Sequence, residues 1–313
     1  MDALQSGIWL YMTVLFAIAL FFLGLYRARR MEKREQELLG IAVVAGAMLF
    51  AYEHTGDLNL LLLCVGIANF NGLLSDKSPK MRIGYVIVSA AYITAIHWIG
   101  FQLIAQAMLL GILSVITKLK QYRNRIENRR VELRRDVFHM GAGVFLMLMF
   151  MFESEPVAVT ALMLMILGGI LAICIAEISK DNPISNVVVG LERGGAALGY
   201  GALWLALGSL FAVSFLNTTN VLVVFAAIFI GDPVATIIGI HFNKIKLPWN
   251  RRKSLAGTAS YFLAATINSF FLIGYYALLI GLVGAVIESL RIKVDDNFSV
   301  SVLLTALLLM LGI

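Results

Sequence analysis

The sequence GDPVATIIGIHFNKIKLPWNRRKSLAGT, residues 231–258, joins two long apolar segments through a polar and strongly basic hairpin. Asp232 stands at the end of the first apolar segment, and three bases follow at 251–253. A Lys-Ser pair and a Gly-Thr pair then precede the second segment. Ammonium groups, hydroxyls and glycine backbone amides all bind phosphate, although the spacing is not that of a Walker P-loop. The stretch predicts a phosphate-binding hairpin between two membrane helices.

The composition identifies an integral membrane protein. The chain has 313 residues, of which 60% are hydrophobic and 14% charged, and its mean hydropathy is +0.88. A soluble domain is about half apolar and about a quarter charged. Apolar runs long enough to span a bilayer recur along the chain, which predicts an all-α, polytopic transmembrane bundle of about 10–12 helices. The predicted helices are residues 8–26, 38–53, 58–75, 83–98, 99–117, 136–152, 156–178, 194–215, 220–240, 256–273, 274–290 and 299–313.

The charge pattern predicts the orientation of this bundle. Lysine and arginine outnumber acids 25 to 19, and the positive-inside rule explains the excess without a nucleic-acid partner. We therefore expect a multi-pass protein with its polar loops on the cytoplasmic face and its N-terminus outside. The basic loops are residues 27–34, 77–82, 118–135, 244–253 and 291–293, and the neutral or acidic loops opposite them are 53–57, 153–155 and 217–220.

The distribution of polar residues divides the chain near residue 130. Residues 1–130 hold N-terminal transmembrane helices and a basic connector, whereas residues 131–313 carry polar groups suited to catalysis in every inner loop. Within the second part, Pro183 is expected to end helix 156–178. The apolar run 256–290 forms either two short spans or a re-entrant hairpin around Gly274.

Several charged residues of the second part are candidates for a site. Arg135 and His139 are four residues apart and share a helix face. A histidine inside a membrane helix costs free energy unless it is paired or faces a polar cavity, so His139 is either functional or hydrogen-bonded to a neighbouring helix. Glu192 opens the next apolar run, where it either serves the site or complements a helix dipole.

Two adjacent acids, Asp295 and Asp296, lie in the last inner loop. Acids held side by side near lipid repel one another, and a divalent cation would relieve that repulsion, although a solvated turn also explains them. Together the inner loops offer acids for Mg²⁺, bases for phosphate and a histidine at the lipid boundary.

These residues resemble, in order, the motifs of the dolichol kinase/phytol kinase family of polytopic CTP-dependent lipid-alcohol kinases, which is related to the CDP-diglyceride synthases. The resemblance covers about residues 130–313. Two positions depart from the family pattern, since Ala256 replaces an acid and Ile-His-Phe-Asn at 240–243 replaces Arg-Arg-Phe-Gly. The matching segments are RRDVFHMGAG at 134–143, Glu192 through Gly208, Gly231 through Gly239 with Lys253-Ser254-Leu255 and Gly257-Thr258, and Glu288 with Asp296-Asn297.

The resemblance implies a kinase that transfers the γ-phosphate of CTP, with Mg²⁺ as cofactor, to the hydroxyl of a membrane lipid alcohol. That alcohol would be a polyprenol or dolichol, phytol or geranylgeraniol, or diacylglycerol. Arg135 would hold a phosphate or orient His139, and His139 or Glu192 would act as the base. The expected metal ligands are Asp232, Asp295 and Asp296, and the expected nucleotide-binding residues are Gly231, Arg251, Arg252, Lys253, Ser254, Gly257 and Thr258.

Two other functions fit the same residues. A cytidylyltransferase that forms a CDP-lipid would use a similar site on a phosphatidate-like acid. A lipid transporter with a degenerate nucleotide site would be consistent with Ala256, although transporters place their sites near the midplane of the membrane. The sequence is compatible with a homo-oligomer.

Overall fold

The structure is a computed structural model that describes residues 58–76, 78–116, 129–192, 197–242, 244–291 and 294–313. Over these residues the chain is a bundle of α-helices. The predicted helices 8–26 and 38–53, the loops 27–34 and 53–57 and most of the connector lie outside the described residues. The helices are α1 Leu58–Ser75, α2 Pro79–Ile116, α3 Arg129–Phe152, α4 Glu155–Ile178, α5 Pro183–Leu191, α6 Tyr200–Phe215, α7 Thr218–Phe225, the π-helix Ala226–Gly231, α8 Asp232–His241, α9 Leu255–Ile273, α10 Tyr276–Ser289 and α11 Asp296–Leu311.

Helix length and composition confirm the predicted transmembrane bundle. Four stretches are long and apolar enough to cross a bilayer, which requires about 20 residues. The shorter apolar helices are Gly100–Ile116, Tyr200–Phe215, Tyr276–Ser289 and Asp296–Leu311. The four long stretches are Val131–Phe152, Glu155–Ile178, Thr218–His241 and Leu255–Ile273.

Helix α2 is two helices that meet at Gly100, where the backbone leaves helical geometry with φ −161° and ψ 51°. Its first half runs antiparallel to α1, and its second half runs parallel to α1. The chain therefore turns back at Gly100, as the separate predictions of 83–98 and 99–117 require. The contacts that show this are Gly72–Tyr85 and Gly66–Tyr92 for the first half, and Gly66–Ala107 and Gly111–Phe70 for the second.

The short helix α5 corrects the sequence prediction after α4. Pro183 does not end a helix, because α4 already ends at Ile178 and Pro183 begins α5. Proline fits the first turn of a helix, where its missing N–H needs no partner. The side chain of Asn182 caps α5 by accepting a hydrogen bond from the Ser185 N–H at 2.8 Å.

The start of α6 is a second correction. The helix begins at Tyr200 and not at 194, and Gly199 precedes it with a left-handed φ of 75°. Glu192 is the residue that follows α5. It therefore ends a short helix and does not open a membrane-spanning one.

The π-helical turn Ala226–Gly231 interrupts the long stretch 218–241 directly before Asp232. A π-turn inserts an extra residue, so it rotates every later side chain relative to the earlier ones, and such turns often occur at functional sites. Asp232 is buried within the helix, nine residues before its end at His241.

Close contact between α8 and α9 holds the hairpin of residues 242–254 in place. A Cβ atom at Gly257 would lie 2.9 Å from the carbonyl oxygen of Ala235 and 3.3 Å from the Cα atom of Gly239. Small residues permit such approach between membrane helices. At the far end of α9, Gly274 has a φ of 57° and separates α9 from α10, so this run forms two helices.

Tight packing of α3 on the π-helix predicts a loss of stability on substitution of Gly143. A side chain there would overlap the ring of Phe229, whereas a Cβ at Gly141 meets nothing within 4 Å. We expect Gly143→Leu to lower the free energy of unfolding by about 1–3 kcal/mol, as overpacking does. Thermal unfolding in detergent measures this, with Gly141→Leu as the control. Equal melting temperatures for the two variants would contradict the packing described here.

Candidate functional site

A cavity of about 1200 Å³ lies where the charged ends of several helices meet. Among the residues that the structure describes, those that line it all belong to the part of the chain from Glu132 onward. Eleven of the thirteen residues predicted for the site line it. These are Arg135, His139, Glu192, Asp232, Arg252, Lys253, Ser254, Gly257, Thr258, Asp295 and Asp296.

Two of the predicted residues, Gly231 and Arg251, do not line the cavity. Gly231 packs on Tyr261, since a Cβ there would lie 3.2 Å from the tyrosine ring. Arg251 is exposed. A nucleotide-binding role for these two residues stays a prediction.

Lys253 connects the ends of three helices. Its Nζ donates to the Oε1 atom of Glu288 and lies 3.3 Å from the Oδ2 atom of Asp296. Lys253 precedes α9, Glu288 is in the last turn of α10, and Asp296 begins α11. Burial alone lowers the pKa of the Lys253 ammonium, but the negative charges of Asp296, Glu288 and Asp232 raise that pKa above its ordinary value. The ammonium is therefore charged at neutral pH.

A second ion pair lies on α3. The guanidinium of Arg135 donates from Nη2 and Nε to the Oδ1 atom of Asp136 at 3.0 and 3.2 Å. Asp136 is 1% exposed, and its Oδ2 atom has no hydrogen-bond partner in the described part of the chain. Arg135 is also close enough to Asp232 for their charges to interact. The pair fixes the position of the Arg135 guanidinium, which lines the cavity, whereas Asp136 does not line it.

Glu192 closes the turn between α5 and α6. Its Oε2 atom accepts a hydrogen bond from the Gly199 N–H at 2.6 Å. Burial raises the pKa of the Glu192 carboxyl, and this hydrogen bond and the charge of Arg135 only partly oppose the rise. One of its carboxylate oxygens thus already accepts a hydrogen bond from the backbone.

The two predicted hydroxyls differ in their surroundings. The Oγ atom of Ser254 accepts from the Gly257 N–H at 3.1 Å and caps α9. The Oγ1 atom of Thr258 is buried without a hydrogen-bond partner among the described residues. A buried hydroxyl of this kind costs free energy unless a ligand satisfies it. Thr258 is therefore the hydroxyl better placed to bind a ligand.

Carboxylates outnumber cations around the cavity. Burial, with repulsion from Asp296 and Asp232, raises the pKa of the Asp295 carboxyl to about 8. Positive charge added near these carboxylates would favour their ionised forms. The lining acids are Glu132, Glu192, Asp232, Glu288, Asp295 and Asp296, and the lining bases are Arg135, Lys246, Arg252, Lys253 and Arg291.

These acids fit Mg²⁺ when a phosphate ligand accompanies it. Among the residues that the structure describes, no three His, Cys, Asp or Glu side chains form a ready metal-binding group. Mg²⁺ is commonly held by one or two carboxylates together with substrate phosphates and water. The Oε2 atom of Glu288 is buried without a hydrogen-bond partner in the described chain, so at least one hard oxygen donor beside the cavity is unsatisfied.

Three residues near the site were not predicted from the residues themselves: Asp136, Glu288 and Tyr261. Only the family resemblance indicates Glu288, although an acid in the last turn of an apolar helix is itself a signal. Tyr261 is fully buried, and its hydroxyl has no hydrogen-bond partner in the described chain. Its ring contacts Gly231 and would contact a Cβ at Gly284. An aromatic residue in an apolar helix gives no sequence signal for such a position.

Fold and site together define an integral membrane protein with a cavity that is lined by both basic and acidic side chains. Phytol kinase 1, chloroplastic, of Arabidopsis thaliana is 33% identical over 141 residues, which cover 38% of this chain and 46% of that protein. A probable phytol kinase 1, chloroplastic, of Glycine max is 35% identical over 88 residues, covering 22% and 29%. An uncharacterized protein of Methanocaldococcus jannaschii is 27% identical over 173 residues, covering 53% and 86%.

The chain is thus similar to phytol kinases over part of its length. It spans less than half of each of the two plant proteins. No protein-family profile matches the chain, and no solved structure matches it.

The contacts of Lys253 predict a stability effect that is separate from any activity. Lys253→Ala leaves Glu288 buried without its cation, and breaking a buried pair from one side costs about 3–5 kcal/mol. Because Lys253 is 28% exposed, we expect the lower end of that range. Thermal unfolding in detergent measures the loss. Adding Glu288→Gln to Lys253→Ala should recover stability, whereas additive losses in the double variant would show that the two side chains are not coupled.

Proposed function

We propose that this protein is a lipid-alcohol kinase that transfers the γ-phosphate of CTP to the hydroxyl of a membrane lipid alcohol. The observation that carries the proposal is the position of Lys253, a partly buried cation between two acids in a cavity also lined by Asp232 and Thr258. The partial similarity to phytol kinases supports it. Phosphoryl transfer requires positioning and charge neutralisation more than covalent chemistry from the protein.

On this proposal the hairpin after α8 and the start of α9 bind the nucleotide. Lys253 and Arg252 neutralise the phosphates, and the buried hydroxyl of Thr258 donates to a phosphate oxygen. Asp232 and Asp296, with Asp295 beside them, would hold Mg²⁺. The ion would supply positive charge to the phosphate chain of the nucleotide.

His139 is the proposed base. The alcohol oxygen forms a bond to the γ-phosphorus, the bond from that phosphorus to the β,γ-bridging oxygen breaks, and CDP leaves. The hydroxyl proton passes to the imidazole of His139, which lines the cavity one helical turn from Arg135. Glu192 is the less suitable base because the Gly199 N–H already occupies one of its oxygens. Arg135, fixed by Asp136, would orient the γ-phosphate.

We also propose that the cavity opens to the cytoplasm, because Lys246, Arg252 and Arg291 line it and basic residues mark the inner side of a membrane. Every lining residue within the described part of the chain lies at or beyond Glu132. This supports the division of the chain near residue 130 into an N-terminal helical part and a catalytic part.

A kinase assay tests the proposal directly. Purified protein in detergent is given Mg²⁺, CTP labelled in the γ-phosphate, and phytol, geranylgeraniol, dolichol or diacylglycerol. We expect label on one of these lipids. Asp232→Asn and Lys253→Ala should each lower kcat/KM by about a hundredfold, in line with the loss of one charged stabilising group. Lys244→Ala, an exposed lysine outside the cavity, is the matched control.

The labelled position separates this proposal from its alternatives. Label transferred from the α-phosphate of CTP to a phosphatidate would identify a cytidylyltransferase. If no phosphorylated lipid forms with any combination of lipid and CTP or ATP, the result would favour a lipid transporter. Unchanged turnover in both site variants would overturn the residue assignment even if the protein is a kinase.

A further inference from the structure

The cavity has two sides of opposite character. Its charged side is formed by α3, α8 and the ends of α9, α10 and α11. Its other side is formed by α4, α5 and α6, and we call the part lined by α4 and α6 the apolar arm. The α4 residues that line it are apolar or glycine throughout, namely Leu162, Met165, Ile166, Gly168, Gly169, Ile170, Ala172 and Ile173.

Glycines keep the apolar arm wide. A Cβ atom at Gly168 or Gly169 of α4, or at Gly201 of α6, would meet no atom within 4 Å. Glycines that serve helix packing behave differently, since a Cβ at Gly257 would meet the neighbouring backbone at 2.9 Å. The arm glycines therefore border open space in the cavity and do not serve close helix contact.

The arm also presents little to a polar ligand. Two polar side chains line the cavity from α6: Tyr200 at the start of the helix, and Ser209, whose hydroxyl donates to the Leu205 carbonyl of its own helix at 3.0 Å. No ionisable Asp, Glu, Lys, Arg or His of α4 or α6 is among the described lining residues. The cavity of about 1200 Å³ exceeds the range of about 300–1000 Å³ typical of one small-molecule site. It has room for an apolar ligand beside a nucleotide.

We propose that the apolar arm binds the hydrocarbon chain of the lipid alcohol, and that Gly168, Gly169 and Gly201 set the width available to that chain. This inference rests on the proposed function, because it assigns the second substrate of that reaction. The arm is continuous with the charged side within one cavity. A chain lying along α4 and α6 would thus bring its hydroxyl end toward His139 and Lys253. Substitution of one of these glycines is expected to raise the KM for the lipid alcohol and leave the KM for CTP unchanged.

Gly169→Leu tests this assignment. Leucine is a better helix former than glycine, so the helix is preserved, while its side chain occupies the arm. The control is Gly141→Leu, the same change at an open position of α3 outside the cavity lining. We expect Gly169→Leu to raise the KM for phytol by about tenfold or more, as loss of fit in an apolar pocket does, with the KM for CTP unchanged. Equal kinetics for the two variants would overturn the proposal.

A second measurement does not depend on catalysis. A C20 alcohol carrying a diazirine at the end of its chain is photo-crosslinked to the wild-type protein in detergent, and the labelled peptides are mapped by mass spectrometry. We expect labelling within 162–173 and 201–209 that added phytol prevents and that Gly169→Leu lowers. Labelling confined to outward-facing residues such as Ile267 and Leu282, or labelling of the arm that phytol does not displace, would overturn the proposal.

The two measurements distinguish failure of this inference from failure of the proposed function. Arm labelling that phytol prevents, in a protein without kinase activity, would support the alcohol site and contradict the kinase. Kinase activity with crosslinks outside the arm would support the kinase and contradict the alcohol site.

Discussion

The ion contacts of Lys253 are the constraint on which the polar end of the bundle depends. Three apolar helices, α9, α10 and α11, end or begin with charged groups that lie beside one another. Removing a charge from water is costly unless an opposite charge and hydrogen bonds compensate it. Lys253 compensates Glu288 and Asp296 together, so the three helix ends remain close and the cavity between them stays polar. On α3 Arg135 and Asp136 form a second such pair.

Glycines with two different functions shape the bundle around these charges. At Gly257 the backbones of α8 and α9 approach until no Cβ would fit without movement. At Gly168 and Gly169 the space beside the backbone is open. The sequence shows glycine in both cases, and only the arrangement of neighbouring helices separates a packing position from one that borders a cavity.

The helical bundle could be predicted because the bilayer imposes a length and a polarity on each span. The ten predicted helices from 58–75 onward correspond to helices of the structure, including the turn at Gly100. Convergence of the charged loops was also predictable, since ionisable groups near lipid are costly and gather around polar cavities. For this reason His139, Asp232 and Lys253 share one cavity although they are far apart in sequence.

The remaining features depend on tertiary contacts and gave no sequence signal. Helix α5 has only nine residues, and its apolar content resembles that of a membrane segment. The π-helical turn before Asp232 is built from ordinary apolar residues, so its extra residue is visible only in the backbone. Ala256 departs from the pattern of the similar family, but it does not line the cavity.

In the proposed kinase, the charge balance of the cavity would link nucleotide binding to metal binding. Six lining acids face five bases, so the cavity has no excess of positive charge to balance a triphosphate that enters alone. Lys253 is also engaged by Glu288 and Asp296. If Lys253 binds phosphate oxygens in place of these carboxylates, the carboxylates lose their cation. Another cation must then bind them. The proposed kinase would therefore bind its nucleotide together with a divalent cation, because the carboxylates that contact Lys253 require another cation when Lys253 binds phosphate.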